Sequence, residues 1–392
     1  MLPRLLYLGD VPVEASYHGS TLLYRLFQQY PADRLVIIEG TMVPLRTDRR
    51  LPGVRHLALA AGRARWLNTR CHDFYAWWLT VTSSLRSRRA RALLGDFAPE
   101  AVVTVPHGHT WITAAQVARD CGVPLHLVIH DDWPRVVAPR LRRRVDRLFG
   151  EVYSQAASRF CTSPHMAREY ERRYGAPGTV LLPYRAASAR AFPPPAVRVG
   201  RQPGAPVFAF AGTINSPGYA TLLRRLADTL GRLGGQLLIF GPLNAESARA
   251  SGLDHPAIRL GGLVESSALM ERLRAEADVL FVPMSFAVED QANMQMGFPS
   301  KLTDYTAVAM PLLICGPSYC SAVEWAAQNP GVAEVVTSDE GALLDAAVAR
   351  LASDESYCLQ LATRAQQVGD RDFSATGAAA AFQAAVTAGQ SA

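Results

Sequence analysis

The chain has 392 residues, too many for one ordinary compact domain and suited to two of roughly 150–200 residues each. Hydrophobic residues make up 49% and charged residues 19%, which excludes disorder, collagen and low complexity as global descriptions. The formal charge of +6 hides a split. Residues 1–200 hold 28 arginines against 15 acids, and residues 201–392 hold 11 arginines and the chain's single lysine, Lys301, against 19 acids. Halves of opposite sign predict two domains with different partners, the basic half meeting something anionic.

Read in chain order, short apolar runs alternate with segments of helical period. In the first half Arg4–Leu8, Leu35–Glu39, Ala101–Val105, Leu125–His130 and Thr179–Leu182 read as buried strands. Helices are expected near 20–30, 62–92, 111–121 and 164–174. Arg185–Ala205, with Pro193, Pro194 and Pro195 followed by Gly200, Pro203 and Gly204, reads as a linker. Strands follow at Val207–Ala211, Gln236–Phe240, Ile258–Leu260, Val279–Val282, Leu312–Cys315 and Val332–Val336. Continuous apolar strands alternating with helices predict parallel sheets covered on both faces. The expected division is therefore a domain over 1–184, a linker over 185–205, a second domain over 206–372, and a terminal segment, 373–392, that packs back across a cleft. Six scattered cysteines with no CxxC pair predict neither a zinc site nor a disulfide framework. The absence of a secretory h-region or a membrane-length apolar run points to a cytoplasmic protein.

Ligands of open parallel sheets sit beyond the carboxyl ends of the strands, so those ends carry the candidates. In the second domain they are Gly212-Thr213-Ile214-Asn215, Gly241-Pro242 and Gly262-Leu263-Val264. After the strand at Val279–Val282 comes Gly297-Phe298-Pro299-Ser300-Lys301-Leu302-Thr303-Asp304-Tyr305. Pro299 suits a first helical turn, leaving the amides of Ser300 and Lys301 directed outward. With the Lys301 ammonium, the Ser300 hydroxyl and Asp304 one turn on, the segment fits a diphosphate flanked by a sugar diol. In the first domain Tyr17-His18-Gly19-Ser20 opens the first helix, and His107, His109, His130 and Asp131 follow strand ends. A metal site built from the last four residues is a minor alternative, and no metal is assigned.

Leu67, Cys71, Phe74, Trp78, Val81 and Leu85 are spaced as one helical stripe and predict a core face. Arg86, Arg88, Arg89 and Arg91 follow, and a second basic run is Arg140, Arg142, Arg143, Arg144 and Arg147. These arginines read as solvated faces, with docking to an anionic membrane surface as the alternative. No nucleic-acid module is recognisable.

With these motifs the sequence resembles the GT-B glycosyltransferases, and among them the retaining, family 4-like enzymes. The best parts are Ala277–Pro283, Phe298–Tyr305 and Met310–Leu313. The resemblance implies two Rossmann-like domains facing a central cleft, and a nucleotide-diphosphate sugar as co-substrate with no other cofactor. The acceptor would be a glycan, a lipid-linked molecule or a small molecule. It implies that Lys301 and Ser300 contact the donor diphosphate, Asp304 the ribose, Gly262-Leu263-Val264 the base, and Gly212-Thr213 the phosphates. His130 would face the transferred sugar, and the loop Gly9–Gly19 would lie near the phosphate and acceptor. Two departures stand out. Met296 occupies the place of the family's first motif carboxylate, for which Glu289 or Asp290 would substitute, and Thr213–Thr221 lacks the usual basic pair. A sugar-nucleotide epimerase of GT-B architecture and a non-catalytic GT-B partner subunit stay open as alternatives.

Overall fold

A computed structural model describes the chain except for residues 16–17, 41–48, 60–70, 134–139, 191, 194–204 and 390–392, and the side chains of His18, Ser266 and Ser267. The chain forms two compact units: Met1–Ala187 together with Ala375–Ala392, and Ser188–Ser374.

The first unit is built on seven strands: β1 (Leu5–Gly9), β2 (Leu35–Gly40), β3 (Arg55–Leu59), β4 (Ala101–Thr104), β5 (Leu125–Ile129), β6 (Ser158–Cys161) and β7 (Thr179–Val180). They form one parallel sheet in the order β3-β2-β1-β4-β5-β6-β7. β1, β2, β4 and β5 are buried along their whole length, which is why their sequences are mainly apolar rather than alternating, with Glu39 in β2 and His126 in β5 as buried exceptions. β3 and β6 escape the sequence reading because Arg55, His56, Ser158 and Arg159 interrupt the apolar run. The helix Ala375–Ala388 belongs to this unit: Phe382 packs on Phe27 and Phe160, each with ring centroids 5.8 Å apart.

The second unit holds β8 (Val207–Ala211), β9 (Gln236–Phe240), β10 (Ile258–Gly262), β11 (Val279–Pro283), β12 (Leu312–Cys315) and β13 (Glu334–Val336), in the order β10-β9-β8-β11-β12-β13. All pairings are parallel. Each sheet reverses its strand order once, between β1 and β4 in the first and between β8 and β11 in the second. Chain connections leave such a switch point in opposite directions and open a crevice there. The switch points therefore locate the candidate sites before any side chain is considered.

The expected single helix near 62–92 is, over its described part, two helices, His72–Val81 and Ser83–Leu94. They meet at Thr82, whose hydroxyl donates to the Trp78 carbonyl at 2.7 Å. The break rotates the stripe out of the core. Tyr75, Ala76 and Leu79 are buried, whereas Phe74, Trp78, Val81 and Leu85 are exposed. The core expectation for that stripe is thus reversed; Leu67 lies outside the described residues. Between β11 and Gly297 lie a 3₁₀ turn, Val288–Asp290, and a short helix, Gln291–Met296, and among the described residues no helix is long and apolar enough to cross a membrane.

Candidate functional site

At the switch point of the second unit, glycine backbones close the strand ends. The Gly212 amide donates to the Phe240 carbonyl and the Gly241 amide to the Gly262 carbonyl, both at 2.9 Å. A Cβ on Gly241 would lie 2.4 Å from the Gly212 carbonyl oxygen, so a side chain there would push β8 and β9 apart. Gly212 and Gly241 have φ of 147° and 154°, a region that side chains disfavour. Thr213 is half-buried and Asn215 exposed in the turn that leads to the helix Pro217–Arg232. Pro242 is exposed, Val264 half-buried and Leu263 largely solvent-facing, so the rim of this site is open.

Lys301 rises over this floor. Its Nζ sits 4.1 Å from the Phe210 ring centroid and 5.7 Å from that of Tyr219. A Cβ on Gly212 would lie 3.7 Å from both its Cε and its Nζ. The aromatic faces partly replace lost hydration, but among the described residues no carboxylate offsets the loss, and desolvation draws the ammonium down to about 7. A half-buried cation flanked by ring faces can pair with an anion.

The helix that carries it is Lys301–Val308, preceded by Ser300 at the cap position. Pro299 stands just before the helix rather than in its first turn, and its carbonyl accepts the Leu302 amide at 3.0 Å. Ser300 is exposed and Asp304 half-buried in the first turn. Two bonds fix the helix to the sheet and to its own start: the Tyr305 hydroxyl accepts the Ala211 amide at 2.6 Å, and the Thr303 hydroxyl donates to the Ser300 carbonyl at 2.7 Å. Gly297 is held by the Ser321 hydroxyl, which donates to its carbonyl. Phe298 packs on Trp325 and Phe373, with centroids 6.4 and 5.9 Å away.

Met296 is buried, so the position carries no substitute polar group. Of the two upstream acids, Glu289 is exposed, while Asp290 accepts the Ser216 hydroxyl at 2.6 Å. That contact brings a carboxylate to the start of the helix Pro217–Arg232 and fills its positive end from within the protein.

In the first unit the switch point is occupied by Asp10, which the sequence reading passed over. Its carboxylate accepts the His109 amide at 2.6 Å, the Thr110 amide at 2.7 Å and the Thr110 hydroxyl at 2.5 Å. It thereby caps the helix Thr110–Cys121 from across the sheet. Glu39, at the end of β2, is the second residue missed. It accepts the Val13 amide at 2.8 Å and Arg50 Nη2 at 3.2 Å, and burial raises its pKa. An acid inside an otherwise apolar strand was the available signal.

The four strand-end residues of the first unit do not converge. His109 is buried, its ring edge-on to Trp133 at 5.2 Å, and burial lowers its pKa to about 4. His107 is half-exposed and faces Asp131, Nδ1 to Oδ2 3.6 Å, which raises the histidine pKa. His130 lies beneath the first helix, His18–Phe27. A Cβ on Gly19 would lie 2.8 Å from its Nδ1, and burial lowers its pKa to about 4, leaving a neutral imidazole. Ser20 is buried on that helix; Tyr17 and the His18 side chain lie outside the described residues. Among the described residues no group of three His, Cys, Asp or Glu is placed to hold a metal ion.

Residues 82–183 match the model of glycosyltransferase family 4. No curated protein matches the sequence. The chain is similar to HepE of Anabaena, solved with UDP and glucose: 13% identity, TM-score 0.64, covering 98% of this chain and 99% of that one. It is similar to sucrose-phosphate synthase of Thermosynechococcus elongatus, with 15% identity, TM-score 0.67, and coverage of 96% and 97%. A UDP-forming α,α-trehalose-phosphate synthase of Burkholderia vietnamiensis gives 15% identity and TM-score 0.66, with coverage of 100% and 98%. These likenesses fix the architecture: the chain has the GT-B fold, and residues 82–183 within it match the glycosyltransferase family 4 model.

Proposed function

We propose that this glycosyltransferase takes a sugar from a nucleoside-diphosphate donor bound at the strand ends of the second unit and delivers it to a hydroxyl acceptor bound by the first. The observation that carries the reading is Lys301, a half-buried ammonium beside Gly212 with aromatic faces but, among the described residues, no counter-charge. A diphosphate there would supply the missing charge, and the Ser300 hydroxyl and the Gly212–Thr213 turn would bind the same group. Asp304 would accept from the ribose diol, and the open rim at Gly262-Leu263-Val264 would receive the base. UDP is the first nucleotide to test, because solved complexes of HepE hold UDP and UDP-glucose.

In the retaining course we favour, the bond between the anomeric carbon and the diphosphate oxygen breaks. The acceptor oxygen then bonds to that carbon from the same face. Its proton passes to a phosphate oxygen, and Lys301 stabilises the charge growing on the leaving group. Neutral His130 would orient the sugar by hydrogen bonding, with His107 and Asp131 on the acceptor side. The role of the family's first motif carboxylate has no counterpart at Met296, and Asp290 is committed to Ser216; the donor sugar's hydroxyls would therefore be held by other groups.

The test is Lys301→Ala, assayed by mass spectrometry against a panel of UDP-sugars and acceptors. Turnover should fall about a hundredfold or more, with the melting temperature unchanged or raised, since a half-buried unpaired charge is removed. Near-normal transfer by this variant would refute the assignment. Lys301→Arg should rescue little, because a planar guanidinium does not fit between Phe210 and Gly212. Epimer formation from the donor in the absence of acceptor would favour the epimerase reading instead.

A further inference from the structure

The two helices His72–Val81 and Ser83–Leu94 leave an apolar face in water. Phe74 is 61% exposed, Leu85 56%, Val81 42%, and Trp77 and Trp78 39% each. The face is rooted rather than loose: Trp78 stacks on buried Tyr75 at 5.7 Å and 14°, and Phe74 lies 5.8 Å from Trp77. A contiguous exposed patch of large aromatic and aliphatic side chains is unusual for a surface that meets only water.

Its border is basic. Arg88 and Arg89 are exposed three and four residues beyond Leu85 and so continue the same helical face. From elsewhere in the chain, Arg140 Nη1 comes within 3.9 Å of Asp73 Oδ2, at the first turn of the aromatic helix. Arg140 begins the second arginine run, whose Arg142, Arg143, Arg144 and Arg147 are exposed on the helix Arg142–Gln155. Two basic segments about 50 residues apart in sequence thus flank one apolar face. Asp73 is the sole acid between residues 71 and 95, and Arg140 faces it.

We propose that this face docks on an anionic phospholipid bilayer. Phe74, Trp77 and Trp78 enter the boundary between headgroups and acyl chains, where amphipathic aromatic rings are most stable. Arg88, Arg89 and the run from Arg140 meet the lipid phosphates. The choice of lipid over an apolar protein partner rests on charge complementarity: the aromatic centre is bordered by arginine on two sides and by almost no acid. The inference does not depend on sugar transfer, because none of its residues belongs to the candidate site and the face is read without turnover.

The experiment is co-sedimentation of the full chain with vesicles of phosphatidylcholine, with and without phosphatidylglycerol. The wild type should bind the anionic vesicles and release them as salt rises. The double variant Trp77→Ser, Trp78→Ser should weaken partitioning about tenfold, and Arg88→Gln, Arg89→Gln about thirtyfold, with unchanged melting curves showing that both fold. The arginine variant keeps the test valid if the tryptophan variant fails to fold. Equal sedimentation of wild type and both variants would overturn the proposal. A self-associated wild type that the tryptophan variant turns into monomers, with no vesicle binding by either, would overturn it in favour of a second copy of the chain.

Discussion

The two units share a topology and use their switch points differently. In the first, the charged groups satisfy one another: Asp10 holds the start of the helix Thr110–Cys121, Glu39 holds Val13 and Arg50, and His107 faces Asp131. In the second, Asp290 is bound by Ser216, but Lys301 has ring faces for company. One switch point is complete within the protein; at the other, Lys301 has ring faces and, among the described residues, no carboxylate beside it. The difference separates a scaffold that pre-shapes its loops from a strand-end cluster whose cation the fold leaves without a carboxylate among the described residues.

The comparison is tested hardest by acid. Burial lowers His56, His109, His126 and His130 to about 4, and all four lie in the first unit. Between the unfolded value, about 6.5, and about 4, the unfolded chain takes up protons that the folded unit refuses. Stability is therefore lost as pH falls through that window. The side chains of His56 and His109 are 6% exposed and His126 is fully buried, so each of these three contributes up to roughly 3 kcal/mol by pH 4. His107 opposes the trend, since Asp131 raises its pKa, but it is one group against four. Calorimetry across this range should show the first unit melting earlier with each step down in pH while the second, with His255 its sole histidine, moves less. A second unit that melts first in acid would break the contrast.

Asp10 is the next largest lever. Asp10→Ala removes the acceptor of two backbone amides and one hydroxyl, and should cost about 3 kcal/mol. For a unit of this size that is a drop of roughly 8 °C in the melting temperature. Asp10→Asn, with one acceptor oxygen left, should recover part of the loss. Equal melting of all three proteins would show that the carboxylate is not what joins β1 to the helix Thr110–Cys121.

The fold was legible because parallel sheets demand continuous apolar strands, and β1, β4, β8, β11 and β12 supply them without interruption. β3 and β6 were not, because their polar residues are made tolerable by backbone carbonyls that an apolar pattern does not announce: Arg55 donates to the distant Leu94 carbonyl at 2.6 Å, and Arg159 to that of Ala156 in the preceding turn at 2.6 Å. The motif around Lys301 could be read from residue types alone, since a lone lysine after Phe-Pro-Ser has a recognisable chemistry. Asp10 could not. Its meaning depends on β4 lying beside β1, a contact across about 100 residues that no local pattern encodes. The aromatic stripe failed for a related reason. Periodicity gives the face of a helix but not which side the core is on, and the break at Thr82 decided that.

The finest contrast is in proton coupling. Asp10 and Glu39 already hold partners within the first unit, whereas Lys301, drawn down to about 7, is poised to respond to an anion. An anion beside it favours the charged form and raises its pKa on binding. Affinity for UDP should therefore be flat below about pH 7 and fall by up to about tenfold per unit above it, until the pKa of the bound form is passed. Calorimetric titration at pH 8 in two buffers of different ionisation enthalpy would register the proton taken up as UDP binds. Lys301→Ala should remove that uptake and flatten the profile together with the loss of affinity. A wild-type affinity independent of pH between 7 and 9 would mean that the ammonium does not meet the diphosphate, even if the nucleotide binds elsewhere on the same strand ends.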